Sequence, residues 1–97
     1  MQDILIRIET QDYEAWLATH YDHVEDRRAH GIADGPVYRD IDDTNAALFH
    51  IRVESMDRAM EWFGSEKFRE ASKRAKVTGR EFYLAKKRAP AGAPEHG

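Results

Sequence analysis

A strict alternation of β-branched residues near the start of the chain predicts its first strand. Ile4, Ile6 and Ile8 share one face of an extended segment over residues 4–9. A period of two in such residues is typical of a strand with one buried face. The other face begins with Leu5 and is therefore not wholly polar.

An amphipathic helix is predicted next. Thr10 is the expected N-cap, and Gly31 is expected just beyond the last turn, where a left-handed backbone conformation ends the helix. Between them, apolar and long polar side chains recur at spacings of three and four residues, which is the period of one helix face. The predicted buried stripe consists of Tyr13, Trp16, Leu17, His20, Val24 and Arg27.

The middle of the chain predicts a β-hairpin. A Gly-Pro pair precedes a short strand over residues 37–41, four turn-forming residues follow, and residues 46–54 show the clearest alternation in the chain. Pairing the two strands across this loop places Tyr38 opposite Phe49, with both side chains toward the helices.

Two short helices and a fourth strand are predicted for the rest of the chain. Ser55 and Ser65 are the expected N-caps, and Gly64 separates the two helices. Trp62 lies off the apolar stripe of the first of them and is expected to be partly exposed. The last strand is expected over residues 80–86. The stripes are Met56, Ala59, Met60 and Phe63 in the first helix, and Phe68, Ala71 and Ala75 in the second.

This order of elements predicts an α+β fold of the ferredoxin-like βαββαβ type. Such a fold has a four-stranded antiparallel sheet with its helices on one face. The chain has 97 residues, which leaves no room for a second domain of ordinary size. One domain is therefore expected over residues 1–87, followed by a disordered Ala/Pro/Gly-rich tail over residues 88–97.

The sheet face away from the helices is predicted to be half apolar, although an uncovered antiparallel face is usually polar. Because no further element remains to cover it, we predict that a second copy of the chain does so and that the protein is a homodimer. The face is expected to carry Leu5, Val37, Ile41, Leu48 and Tyr83 among Arg7, Arg39, His50 and Arg52.

Composition and charge exclude several classes of protein. Apolar residues make up 41% of the chain, which is too rich for disorder, and 15 basic against 18 acidic residues give a net charge of −3. That balance argues against a nucleic-acid module and against a polybasic membrane surface. The absence of cysteine excludes disulfides and thiolate catalysis. No signal peptide or membrane-spanning run is predicted, so a cytoplasmic location is expected.

Three groups of residues carry a resemblance to a known family. They are Trp16 with His20 or His23, Arg27 and Gly31; Val37-Tyr38-Arg39-Asp40 with Asp42-Asp43-Thr44-Asn45; and Glu54-Ser55, Ala59, Phe63, Ser65 and Phe68. With these marks, residues 3–86 resemble the dimeric α+β barrel superfamily, in the group of small antibiotic-biosynthesis-monooxygenase-like and polyketide-cyclase-like proteins. The resemblance implies two sheets packed face to face in a homodimer, and a pocket in each subunit between sheet and helices.

The same resemblance implies several chemistries rather than one. Members of the superfamily include cofactor-free monooxygenases, polyketide cyclases, isomerases, haem-degrading enzymes and proteins of unknown function, and no single catalytic residue unites them. The expected function is therefore that of a small cofactor-independent enzyme acting on an aromatic or polyketide-like molecule. The reaction is expected to be proton transfer, in a cyclisation or isomerisation, or monooxygenation within the apolar pocket.

Three residues are the candidates for this chemistry. His20 is the expected acid or base because imidazole titrates near neutral pH. Arg27 is expected to stabilise developing negative charge, and Tyr38 to orient the substrate. A cavity joining these three side chains would favour the enzyme. The residues expected to bind the substrate are Trp16, Phe49, Met60, Phe63 and Phe68.

Each candidate has a purely structural alternative. His20 would be a core histidine, Arg27 a cation at a helix C-terminus, and Tyr38 a packed core side chain in a non-catalytic homodimeric ligand-binding or structural protein. A metal site of His20, His23 and His50 is not favoured, because His50 is expected on the opposite sheet face. Neither a metal nor another cofactor is expected, and no feature selects for haem ligation by a helix histidine.

Overall fold

The computed structural model describes residues 1–86, 88 and 91–92, so most of the tail expected over residues 88–97 lies outside the described residues. The described chain forms four strands and four helices. The strands are β1 (Gln2–Thr10), β2 (Ile32–Arg39), β3 (Ala46–Val53) and β4 (Val77–Ala85). The helices are α1 (Tyr13–Asp22), α2 (Val24–Ala29), α3 (Met56–Phe63) and α4 (Glu66–Arg74).

The four strands form one antiparallel sheet in the order β2-β3-β1-β4. The predicted ferredoxin-like fold is confirmed, with each helical connection divided into two helices. At the centre of the sheet, Ile6 lies opposite Phe49 on β3 and opposite Phe82 on β4. The isoleucines of β1 and the inward residues of β3 form the core with Trp16 and Trp62 from the helices.

The first helix begins later than its sequence pattern predicts. Thr10 is not its N-cap but the last residue of β1, and its hydroxyl donates to the carbonyl of Ala75 at 2.7 Å. Asp12 is the N-cap instead, accepting a hydrogen bond from the backbone N–H of Ala15 at 3.1 Å. Both residues are good capping types, and the pairing of Thr10 within the sheet decides between them.

The single helix expected between Thr10 and Gly31 is two helices. The ring Nδ1 of His23 lies 2.8 Å from the carbonyl oxygen of Thr19, which the backbone N–H of His23 would bind in a continuous helix. That N–H donates instead to the carbonyl of His20, at 3.3 Å. Gly31 ends the second helix with φ +70°, as predicted.

The hairpin register differs by one residue from the prediction. Val37, not Tyr38, lies opposite Phe49, and Tyr38 lies opposite Leu48. Because side chains alternate along a strand, this slip moves Tyr38 to the sheet face away from the helices. Its side chain is 62% exposed there.

The loop of the hairpin accounts for this register. The backbone N–H of Asp40 donates to the carbonyl of Ala46 at 3.0 Å, so Asp40 rather than Ile41 closes the ladder. The Asp40 carboxylate then accepts from the N–H groups of Asp42 and Asp43. Ile41 is 91% exposed and lies outside the strand. The strand expected over residues 37–41 is therefore shifted toward the N-terminus, to Ile32–Arg39.

Ser55 and Ser65 are the N-caps of α3 and α4, so both predicted N-caps are confirmed. Trp62 is 3% exposed, so the prediction of partial exposure is wrong. Its ring packs between those of His23 and His30, with centroid distances of 5.8 and 5.7 Å. These two partners flank α2 at its two ends, so the rotation of α3 depends on packing against another helix.

The sheet face away from the helices is half apolar, as predicted, but its membership differs. We call it the outer face and define it by Leu5, Tyr38, Leu48 and Tyr83, which are each 42–62% exposed. Val37 and Ile41 do not belong to it. Arg39 lies on the helix side of the sheet, with its guanidinium 4.0 Å from the centroid of the Tyr13 ring. Within the described residues, no helix has the length and apolar character needed to cross a membrane.

Candidate functional site

His20 lies in the last turn of α1, between helix and sheet. Its ring stacks on Trp16 with a centroid distance of 5.0 Å and an interplanar angle of 21°. The ring of Phe49 lies 4.8 Å away on the sheet side. The predicted proximity of His20 to the apolar core is thus confirmed, and the imidazole is only partly exposed.

Burial controls the charge of His20. Loss of hydration, and then the positive charge of Arg27, lower the pKa of His20 from 6.5 to about 4, while Asp34 opposes this change. Removing a charged imidazolium from water costs free energy, so the neutral ring is favoured in the folded protein. His20 is therefore neutral at pH 7 and can accept a proton, although as a weak base.

This lowered pKa makes stability depend on pH with a definite sign. Below pH 6.5 the unfolded chain gains a proton at His20 that the folded chain does not bind until about pH 4. Unfolding is therefore favoured as the pH falls through this window, and His20 alone should cost about 2 kcal/mol between about pH 7 and about pH 5. Urea denaturation of the wild-type protein and a His20→Leu variant at both pH values measures this cost. Parallel losses of stability in the two proteins would contradict it.

Arg27 is buried and already paired. Its guanidinium donates from Nε and Nη2 to the two carboxylate oxygens of Asp34, at 2.8 and 2.7 Å. A further bond from Nη2 reaches the carbonyl of His20 at 2.7 Å. The side chain lies beside His20, as the sequence predicts, but its charge is balanced by Asp34. Its contacts therefore fix the end of α1 against β2.

Tyr38 does not join this site. It projects from the outer face beside Leu48, whereas His20 and Arg27 lie on the helix side of the sheet. Of the three predicted catalytic residues, His20 and Arg27 are neighbours, whereas Tyr38 lies on the opposite face of the sheet. The slip in register is the physical reason.

A small cavity, here called the inner cavity, lies beside His20. Its volume of about 40 Å³ holds a few water molecules but no aromatic ring. His23 also lines this cavity: its Nδ1 bonds to the carbonyl of Thr19, and its Nε2 lies 3.4 Å from Arg74 Nη2. Since a carbonyl only accepts, Nδ1 of His23 is the donor in its bond to Thr19. The lining includes Trp16, His20, His23, Arg27, Trp62, Phe68, Ser72 and Arg80.

A larger groove, here called the apolar groove, runs between α3 and β4. Its volume of about 360 Å³ lies within the range of small-molecule sites. Of the predicted substrate-binding residues, Met60, Phe63 and Phe68 meet here, Trp16 lines the inner cavity, and Phe49 packs beneath His20. The groove is lined by Ile4, Met56, Met60, Phe63, Phe68, Arg80, Phe82 and Leu84.

Arg80 lines both the inner cavity and the apolar groove, and sequence reasoning missed it. It pairs with Ile8 across the sheet, so it occupies a position facing the helices. Arg80, Phe82 and Leu84 are spaced two residues apart on β4 and therefore share one strand face. This spacing could have revealed from the sequence that an arginine lies on an apolar face. Burial lowers the pKa of Arg80, which remains a cation at neutral pH.

The described residues contain no cluster of three histidine, aspartate or glutamate side chains arranged to hold a metal ion. His50 lies opposite Leu5 on the outer face, as predicted, and so apart from His20 and His23. Its Nε2 is 2.7 Å from a carboxylate oxygen of Asp3. A metal site of these three histidines is therefore not formed, because His50 lies on the opposite sheet face from His20 and His23.

Comparison with solved structures identifies the fold. Neither the protein-family models nor the curated proteins gave a match to the chain. The structure named an antibiotic biosynthesis monooxygenase superimposes with a TM-score of 0.69 at 12% identity, covering 92% of this chain and 100% of its own. Two proteins provisionally given the same name also match. That of Bordetella bronchiseptica has a TM-score of 0.69 at 20% identity, with 91% and 97% covered.

A second such protein, from Bacteroides thetaiotaomicron, has a TM-score of 0.70 at 13% identity, covering 97% of this chain and 95% of its own. This chain has the ferredoxin-like fold of those structures. At such low identity, the likeness concerns the backbone architecture, and no side-chain role transfers with it.

Proposed function

We propose that the protein is a cofactor-independent enzyme that acts on an aromatic or polyketide-like molecule bound in the apolar groove. The observation that carries the proposal is that this groove and the inner cavity share two lining side chains, those of Phe68 and Arg80. A ligand-sized apolar groove thus lies next to a small cavity that is lined by a neutral imidazole, that of His20. The names of the structural neighbours, antibiotic biosynthesis monooxygenases, favour the same class of reaction.

Proton transfer is the step that these residues support. A flat ring held among Met60, Phe63 and Phe68 excludes water and brings an acidic C–H or O–H group toward the inner cavity. Neutral His20 accepts the proton through a water molecule in the inner cavity, and the resulting enolate or phenolate cyclises or isomerises. Where oxygen takes part, the electron-rich carbon reacts with O₂, so that a CH₂ group becomes C=O and one water is released. Arg27 keeps the end of α1, and with it His20, in place.

Assembly completes the proposed function. We propose a homodimer in which the outer face of one subunit packs on that of its partner, because its four large apolar side chains are uncovered in the single chain. Closure of the two sheets on each other would stiffen β1 and β4, which also support the apolar groove.

An anthrone, a tricyclic aromatic ketone with an acidic CH₂ group, tests the enzymatic proposal. The protein should accelerate exchange of the CH₂ protons with D₂O, followed by NMR without oxygen, and O₂ uptake in air if oxygen is a substrate. Because a positioned base contributes at least roughly 100-fold, His20→Gln should lose about that factor. His30→Gln is the matched control, since His30 does not line the inner cavity. Rates equal to those in buffer would refute catalysis on this class of substrate.

The tight stack of His20 on Trp16 favours a second candidate function, a non-catalytic ligand-binding dimer of the same fold. In that case the anthrone would bind without turnover, and His20→Gln would change only its affinity. Calorimetric binding measured beside the rate assay separates the two functions.

A further inference from the structure

Arg80 carries a positive charge that the described chain does not neutralise. None of the ion pairs among the described residues includes it. Its polar contact is a neutral one, from Nη2 to the hydroxyl of Ser72 at 3.1 Å, and its guanidinium lies 4.7 Å from the centroid of the Phe68 ring. A partly buried cation with only these contacts retains donors and charge for another partner.

The position of this charge is specific. Arg80 precedes Phe82 by two residues on β4, so both side chains face the helices, and Arg80 lies at the boundary of the apolar groove with the inner cavity. The other guanidinium lining the inner cavity, that of Arg27, is neutralised by Asp34. Of the two arginines that line the inner cavity, only Arg80 has no carboxylate partner among the described residues.

The side chains that line the apolar groove indicate the shape and polarity of the rest of the ligand. Met56 and Met60 have unbranched, adaptable side chains, and Phe63 packs edge to face against both Phe68 and Phe82, at 5.2 and 5.3 Å. Such walls suit a flat apolar body. A guanidinium at one end suits a carboxylate, which it binds through two parallel hydrogen bonds.

We propose that the apolar groove binds an aromatic acid whose carboxylate pairs with Arg80 while its ring system lies against Phe63 and Met60. This assignment of the substrate class rests on the proposed function, because it concerns the same site. Because Arg80 is partly buried, the pair is stronger than one between fully exposed side chains, and the neutral Ser72 hydroxyl helps to hold the guanidinium in position.

A matched pair of probes tests this inference. Isothermal titration calorimetry near pH 7 compares 2-naphthoate with 2-naphthamide, which has nearly the same shape but no charge. The naphthoate should bind at least about ten times more tightly, as expected when a charged partner is satisfied. Arg80→Met should remove this preference while leaving the affinity for the amide within about twofold. Arg69→Met is the control, because Arg69 pairs with Glu66 on the exposed side of α4 and should change neither affinity.

Equal binding of the two probes, an unchanged preference in Arg80→Met, or no measurable binding of naphthoate to the wild-type protein would each overturn the inference. If Arg80→Met does not fold, Arg80→Lys keeps the charge without the planar fork and should give an intermediate preference. Turnover is a separate measurement. An active enzyme that does not prefer naphthoate would contradict the Arg80 assignment alone, and a naphthoate-selective protein without turnover would contradict the enzymatic proposal alone.

Discussion

Replacing Asp34 by asparagine is expected to lower the free energy of unfolding by about 3–5 kcal/mol. Arg27 is 5% exposed, and the carboxylate of Asp34 is the anion that balances its charge. An amide of the same shape keeps one acceptor but no charge, so the buried guanidinium is left uncompensated. Because Asp34 also opposes the lowering of the pKa of His20, that pKa should fall further in the variant.

The control for this prediction is Asp40→Asn. Asp40 also pairs with an arginine, Arg7, but at 3.3 Å, and the side chain of Arg7 is 24% exposed whereas that of Arg27 is 6% exposed. Arg7 also keeps two other carboxylates within 4.0 Å, so the loss of its pair with Asp40 should cost less than about 1 kcal/mol. Urea denaturation at neutral pH measures both variants. The double replacement Arg27→Met with Asp34→Leu should recover much of the lost stability, since it removes both charges together. A cost for Asp34→Asn no greater than that for Asp40→Asn would show that the pair contributes little.

Leu48→Asp is expected to weaken the proposed homodimer at least about 100-fold, a change of about 2.7 kcal/mol. Leu48 lies between Arg7 on β1 and Tyr38 on β2, near the middle of the outer face. In a symmetric dimer each replacement occurs twice, and each would place a carboxylate where about 1.5–3 kcal/mol of burial had been gained. Sedimentation equilibrium at micromolar concentration should give twice the chain mass for the wild-type protein and a monomer for the variant.

Met60→Asp is the matched control for the dimer. Met60 is 57% exposed but lies in the apolar groove on the helix side of the sheet, so the same change there should leave the mass at that of the dimer. Circular dichroism and a cooperative unfolding transition confirm that each variant is folded. A wild-type protein that sediments as a monomer would remove the outer face from the proposed assembly.

Where structure follows from local rules, the sequence predicted it well. β1 and β3 alternate with a period of two, and Ser55 and Ser65 satisfy N–H groups only three residues away. Such patterns require no knowledge of the remainder of the chain. The order of strands and helices that they define was sufficient to predict the ferredoxin-like fold.

The errors arise where a local pattern had two solutions. Either Asp40 or Ile41 could have closed the hairpin, and the capping of the loop by the Asp40 carboxylate selects the first, which moves Tyr38 to the outer face. Likewise, either Met60 or Trp62 of α3 could have been buried. Trp62 is the buried residue because its ring packs against His23 and His30, which lie in a distant part of the sequence.

By itself, the sequence determined the order of strands and helices, the N-caps of α3 and α4, the glycine after α2, and the position of His20 beside Trp16. These features depend on periodicity and on hydrogen bonds between near neighbours. Only the tertiary structure decided which charges are balanced. It brings Arg27 to Asp34 across the turn between α2 and β2, and it leaves Arg80 beside Phe68 without a carboxylate. Ion pairing depends on which side chains the fold brings within hydrogen-bond distance, and no spacing along the chain specifies that distance.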